Sequence, residues 1–293
     1  MTHLSRREFA ALAASAAGAP FSFSQTAGAA AITAQHVIDR IKTNIGVDWK
    51  PESVDGLKAG DPSTVVKGVV TTSMATLGVL QQAVKAGANV VITAQPTFYG
   101  RTDARNPAGA DPIIASKNEF IATHNLVVFR LSEHWRMRQP DPLAQGLAAA
   151  LGWTKFQSAG DPSHVAVPAV TLEALAADIK RRLRSRSGMR VVGDPKTRVQ
   201  RVGLLPGTTP IRASLQMLPN VDVILAGEVR EWESVEFARD MAFAGEKKGL
   251  VLLGRIVSEE PGMSICANWL RTFVPEAPVR HISAGDPYWR PAV

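Results

Sequence analysis

Four short apolar runs in this chain stop abruptly at polar clusters, and that pattern constrains its fold more than any other feature. Val90-Val91-Ile92-Thr93 leads into Ala94-Gln95-Pro96-Thr97-Phe98-Tyr99, and Val127-Val128-Phe129-Arg130-Leu131 into Ser132-Glu133-His134-Trp135-Arg136. Val223-Ile224-Leu225-Ala226 leads into Gly227-Glu228-Val229-Arg230-Glu231-Trp232. Leu250-Val251-Leu252-Leu253 leads into Gly254-Arg255 and on to Ser258-Glu259-Glu260. Apolar runs of this length, interrupted by a charge only at Arg130, read as strands buried on both faces, as in a parallel sheet. Helix-like segments alternate with them at residues 77–85, 113–124, 142–151, 212–217, 232–244 and 263–273. Further strand-like runs fall at 65–72, 189–192, 201–205 and 279–283. Such alternation predicts an α/β architecture.

The two outer blocks repeat one order: strand, polar loop, helix, apolar strand, then polar residues at once. They predict two similar α/β lobes facing one another, residues 30–153 and 197–293, with an inserted middle segment, 154–196. That segment carries a helix whose apolar face is Leu172, Leu175, Ala176, Ile179 and Leu183. It ends in Lys180-Arg181-Arg182-Leu183-Arg184-Ser185-Arg186. Basic residues at a helix C-terminus offset the macrodipole, so a solvated face is expected there. No nucleic-acid-binding motif accompanies the charge, and no nucleic-acid partner is expected. The longest irregular stretch, 95–111, reads as a functional rim.

The N-terminus sets the compartment. Ser5-Arg6-Arg7-Glu8-Phe9 precedes an uncharged Ala-rich run and then Ala27-Gly28-Ala29, an A-x-A cleavage pattern. A charged start, an apolar run and a small-residue exit make a secretory signal, and the arginine pair resembles the twin-arginine type. Residues 1–29 are expected to be removed after passage through the twin-arginine translocase. The protein would then work in the periplasm or outside the cell. No other run nears the roughly 20 apolar residues of a membrane span, so no membrane contact of the mature form is expected. Removing Arg6, Arg7 and Glu8 lowers the formal charge from +7 to +6. The single cysteine, Cys266, excludes an internal disulfide and reads as a buried thiol.

In open α/β sheets ligands bind beyond the carboxyl ends of the strands, so the four polar clusters predict one composite site. Several motifs then carry a resemblance. They are Thr71-Thr72-Ser73-Met74-Ala75-Thr76-Leu77, the run from Ile92 to Tyr99, Gly227-Glu228-Val229-Arg230-Glu231-Trp232-Glu233, and Lys248-Gly249-Leu250-Val251-Leu252-Leu253-Gly254. Ser258-Glu259-Glu260-Pro261-Gly262-Met263 and the tail Ala284-Gly285-Asp286-Pro287-Tyr288-Trp289-Arg290-Pro291 complete the set. Together they resemble the Nif-three-like dinuclear metal-centre family, also called type 2 homologues of GTP cyclohydrolase I, from about Ile32 to the C-terminus. The resemblance implies two α/β lobes, a two-metal site between them, hydrolase-like chemistry and toroidal hexamers.

The ligand positions depart from the family. Where the family has a His followed by a His or Glu, this chain has Ala94 and Gln95. Arg136 stands where a His or Asp is usual, and Ser132 where a His is frequent. The family's Gly-His is Gly254-Arg255, and only Glu259 is kept. Divalent metals need deprotonated carboxylates or neutral imidazoles, whereas arginine keeps its proton and offers no lone pair. The divalent metal implied by the family is therefore not expected, nor is any other cofactor.

Three functions fit these residues. In the first, Arg136 and Arg255 grip a small anionic molecule, Gln95, Ser132 and His134 add hydrogen bonds, and Glu228 and Glu259 steady the guanidinium groups. The bland alternative is an Arg255–Glu259 structural ion pair in a dead site. The second is a hydrolase or cyclohydrolase-like enzyme with His134 and Glu133 or Glu259 as general base. The third is a homo-oligomeric scaffold, a hexamer as the resemblance implies, anchored by Trp232, Trp289, Tyr288 and Phe98, with ordinary core packing the alternative for Trp232. The other histidines, His36, His124, His164 and His281, share no metal-ligand spacing.

Overall fold

The four apolar runs are strands, and each pairs in parallel with at least one neighbour. The computed structural model describes residues 31–103, 111–183 and 189–289. The segment expected to be an export signal, part of the 95–111 loop, Arg184, Ser185 and Arg186 of the basic run, and Arg290-Pro291 of the tail lie outside the described residues. In chain order the strands begin with β1 (Gly56–Ala59), β2 (Val69–Thr72), β3 (Val90–Thr93), β4 (Val127–Arg130), β5 (Gln157–Ser158) and β6 (Asp161–Thr171). They continue with β7 (Arg190–Val192), β8 (Arg198–Thr208), β9 (Val223–Glu228), β10 (Gly249–Leu252) and β11 (Val279–His281). One sheet runs β1-β4-β3-β2-β11 and the other β5-β6-β8-β9-β10-β7. The first has four adjacent parallel strands, β4-β3-β2-β11, and the second three, β8-β9-β10.

Helix starts follow local chemistry. Thr33 and His36 form a capping box on α1 (Ala34–Asn44), and Thr76 accepts the Val79 N–H at the start of α2 (Leu77–Lys85). Asp111-Pro112 and Asp141-Pro142 open α3 (Pro112–Thr123) and α5 (Pro142–Ala150) alike: the aspartate caps, and proline fills the first turn, where its missing N–H costs nothing. The short α4 (Glu133–Met137) lies between them, and α6 (Leu172–Leu183), α7 (Ile211–Met217), α8 (Glu236–Phe243) and α9 (Arg255–Arg271) follow.

Alternate side chains of each strand enter different cores, as the two-residue period requires. Val90 and Ile92 of β3 join α1, Leu143 of α5, and Met263, Cys266 and Leu270 of α9, whereas Val91 joins α2 and α3 on the opposite face. Val223 and Leu225 of β9 join Ala144 and Leu147 of α5, while Ile224 and Ala226 face Leu218 and Ala238. Helices α5 and α9 thus form the central layer between the two sheets, so the fold is α/β with two similar lobes facing one another. Cys266 is buried there, and burial pushes its thiol pKa up.

Three local expectations change. The helix expected at 263–273 begins eight residues earlier, at Arg255, and runs through Pro261 and Gly262. Proline normally stops a helix, but here burial of Ser258, Glu259, Gly262 and Met263 against the central layer keeps the first turns in place. The strands of the middle segment are hydrogen-bonded into the second sheet: β6 pairs with β8, and β7 with β10. Among the aromatics, Phe98 is fully buried and cannot anchor an interface. Trp232 is 74% exposed with Arg230 over its ring, so it is not a core residue.

Candidate functional site

Glu259 sits one turn into α9 with its side chain 1% exposed. Its carboxylate accepts from Gln95 Nε2 at 2.9 and 2.7 Å, one contact to each oxygen, and from Arg136 Nη2 at 3.1 Å. The same Nη2 donates to the Pro206 carbonyl at 2.7 Å. Residues from the loop after β3, from α4, from the end of β8 and from α9 therefore meet on one buried carboxylate. Burial raises the Glu259 pKa above the usual carboxylate range, while the Arg136 charge, the Gln95 and Arg136 hydrogen bonds and the Arg255 charge draw it back. Gly207 makes the approach possible. It has φ +78°, and a Cβ there would lie 2.0 Å from Arg136 Nη2 and 2.2 Å from Glu259 Oε1.

His134 points elsewhere. It is fully buried, stacked on Trp49 with ring centroids 3.9 Å apart, and both its nitrogens are used. Nδ1 lies 2.7 Å from Asp55 Oδ2, and Nε2 accepts the Lys50 backbone N–H at 2.8 Å. The Asp55 carboxylate also receives the backbone N–H groups of Ser132, Glu133 and His134, so it holds the start of α4. Ser132 contributes its backbone rather than its hydroxyl, and no nitrogen of His134 is left to act as a base with Glu133 or Glu259. Asp55, Trp49 and Gly207 were not readable as site residues, since their roles depend on contacts far apart in the chain.

Arg255 also departs from the expected arrangement. Although four residues apart on one helix, it and Glu259 make no direct ion pair. The nearest carboxylate to Arg255 Nε is Glu228, at 3.8 Å, and that buried Nε has no hydrogen-bond partner. Gly254, at φ +87°, turns the chain from β10 into α9, whose first turn has no side-chain cap. Arg255 lines a cavity of about 500 Å³ beyond the carboxyl ends of β9 and β10, with Arg190, Glu228, Asp286, Tyr288 and Trp289. Arg136 opens instead on a separate cleft of about 300 Å³, beside Asp141, Asp161 and Thr208. Both arginines flank Glu259, but they do not line one cavity.

The donor set does not fit a two-metal centre. Ala94 has no donor side chain, the Glu259 oxygens face an amide and a guanidinium, and arginine cannot ligate. Among the described residues no three His, Cys, Asp or Glu side chains are grouped to hold an ion.

Comparison with known proteins gives the family and the fold. The profile of Duf34/NIF3 (NGG1p interacting factor 3) matches residues 34–283. A Bacillus cereus protein related to NIF3 superposes with a TM-score of 0.69 at 16% identity, over 88% of this chain and 99% of that one. Protein ybgI, of unknown function, gives 0.68 at 20% identity, over 88% and 100%. A hypothetical protein of Staphylococcus aureus gives 0.67 at 16%, over 89% and 99%. No curated protein matches. At these identities the structural likeness establishes the fold alone.

Proposed function

This chain belongs to the Duf34/NIF3 family, and from that premise we propose that it binds a small organic anion in the cavity beyond β9 and β10. The observation that carries the reading is Arg255, a guanidinium whose buried Nε lacks a hydrogen-bond partner on the wall of a 500 Å³ cavity. Buried polar groups are ordinarily bonded, and an exception calls for a ligand or water. An anion would receive charge-assisted bonds from Arg255 and lie at the uncapped, positive end of α9.

Arg136 has a different part in this reading. Its positive charge stands beside Glu259 in place of a dication, so the family's metal position becomes an internal ion pair and the protein works without metal. Calorimetry with inorganic phosphate, sulfate and acetate tests the site. Arg255→Ala should weaken binding at least about tenfold, as expected for a charge-assisted hydrogen bond. Arg136→Lys, on the other cleft, should leave it unchanged. Loss of binding in both variants would restore a single composite site, and two equivalents of a transition metal in the purified protein would overturn the metal-free reading.

Work outside the cytoplasm is part of the same proposal. It is supported by Ser5-Arg6-Arg7-Glu8-Phe9 with its apolar run and small-residue exit. Cell fractionation checks it: an Arg6→Lys, Arg7→Lys chain should stay in the cytoplasm, and undiminished export would remove the twin-arginine route.

A further inference from the structure

The cavity on which Arg255 opens is much larger than an inorganic anion. About 500 Å³ is the size of a site for a small organic molecule, so an anionic group seated on Arg255 fills only one end. Tyr288 and Trp289, on the segment after β11, wall the same cavity, and they are 67% and 78% exposed. Two other exposed aromatics differ in one respect: Arg230 lies over the Trp232 ring and Arg239 over the Phe243 ring. Among the described residues neither Tyr288 nor Trp289 has a ring or a cation against its face. The exposed aromatic faces left unpartnered are thus the ones beside Arg255, whose Nε lies 3.8 Å from Glu228 and has no hydrogen-bond partner.

We propose that Tyr288 and Trp289 set the specificity of this cavity, which takes an anion carrying a planar aromatic ring. The charged group meets Arg255 and the ring lies against the indole and phenol. This deepens the anion reading of the same cavity and rests on it. Stacking recovers apolar area now in water and adds the preference of aromatic faces for one another. A saturated ring of equal size and charge gains only the first.

Calorimetry on the full chain with phenyl phosphate, cyclohexyl phosphate and inorganic phosphate separates these contributions. Phenyl phosphate should bind about tenfold more tightly than cyclohexyl phosphate, in the range of ring stacking on an aromatic side chain. The Tyr288→Leu, Trp289→Leu variant keeps apolar bulk without aromatic faces. It should erase that preference and leave the affinity for inorganic phosphate unchanged, while Tyr288→Phe, Trp289→Phe should retain it. Equal affinities for the two organic phosphates in the unmodified protein, or a preference that survives the leucine pair, would refute the aromatic wall while leaving the anion site standing. Binding of none of the three phosphates would remove the anion reading itself, and the aromatic wall with it.

Discussion

Replacing Arg136 with leucine should destabilise the protein by about 3 kcal/mol near neutral pH, the lower end of what breaking a buried ion pair costs. The lower end is appropriate because Arg136 is partly exposed, whereas Glu259 is not. The cost comes from the carboxylate left behind, which among the described residues would keep only the Gln95 amide as a direct hydrogen-bond partner. The loss should also depend on pH. Burial already raises the folded-state pKa of Glu259 above its unfolded value. A group of that kind contributes stability that is complete below the unfolded pKa and is lost as pH rises through the folded one. Removing Arg136 raises the folded value further and widens that window. Urea unfolding should therefore show a large difference between unmodified and Arg136→Leu protein at neutral pH, shrinking as pH falls toward the ordinary carboxylate range. Adding Glu259→Gln to Arg136→Leu should recover most of the loss, because no buried charge then remains. A difference that stayed constant with pH would assign the role of Arg136 to its aliphatic stem and its bond to Pro206.

The sequence showed the sheets more clearly than the site, for a physical reason. Strands such as Val90–Thr93 and Gly249–Leu252 are buried along their whole length, and burial on both faces leaves a continuous apolar run that needs no partner to be recognised. The convergence of Gln95 and Glu259 was legible only through the family's ordering of motifs. Nothing local says that residues 164 apart will bond. Local rules misled at Pro261-Gly262, where a helix-stopping pair sits inside α9 because the layer around it supplies the burial. They were silent on His134, whose surroundings are built by Trp49, Lys50 and Asp55, some eighty residues earlier. They also left open which way each arginine turns, and that is what divides Arg136 from Arg255. The middle segment shows the same limit: β7 is readable as a strand, but the places of β6 and β7 in the second sheet come from pairing with β8 and β10.

The crossing of α5 and α9 gives the second large effect, and it tests whether the central layer holds the site. A Cβ on Gly146 would come within 2.4 Å of Gly262 N and 2.5 Å of Pro261 C, and one on Gly262 within 2.8 Å of Leu143 Cα. At Gly146 the obstacles are backbone atoms, which cannot swing aside as a side-chain end such as Leu143 Cδ2, 2.4 Å from a Cβ on Gly262, can. The helices cannot part either, since Leu143 and Met263 press toward one sheet and Ala144 and Leu147 toward the other. Overpacking a filled core costs about 1–3 kcal/mol even where side chains can adjust, so Gly146→Ala should cost at least about 3 kcal/mol. In a domain of this size that lowers the melting temperature by about 6 °C. The better helix propensity of alanine, worth up to about 1 kcal/mol, is too small to offset it. Gly78→Ala in α2 is the control. Its added Cβ would find nothing closer than 3.9 Å, so the propensity gain should appear alone, as an unchanged or slightly higher melting temperature. Gly146→Ala should also weaken anion binding at temperatures where the chain is still folded, because α9 carries Arg255 at one end of the strained stretch. If instead the two alanine variants melted together, α9 would be free to shift, and contact between helix backbones could not be what fixes Glu259 and Arg255 in place.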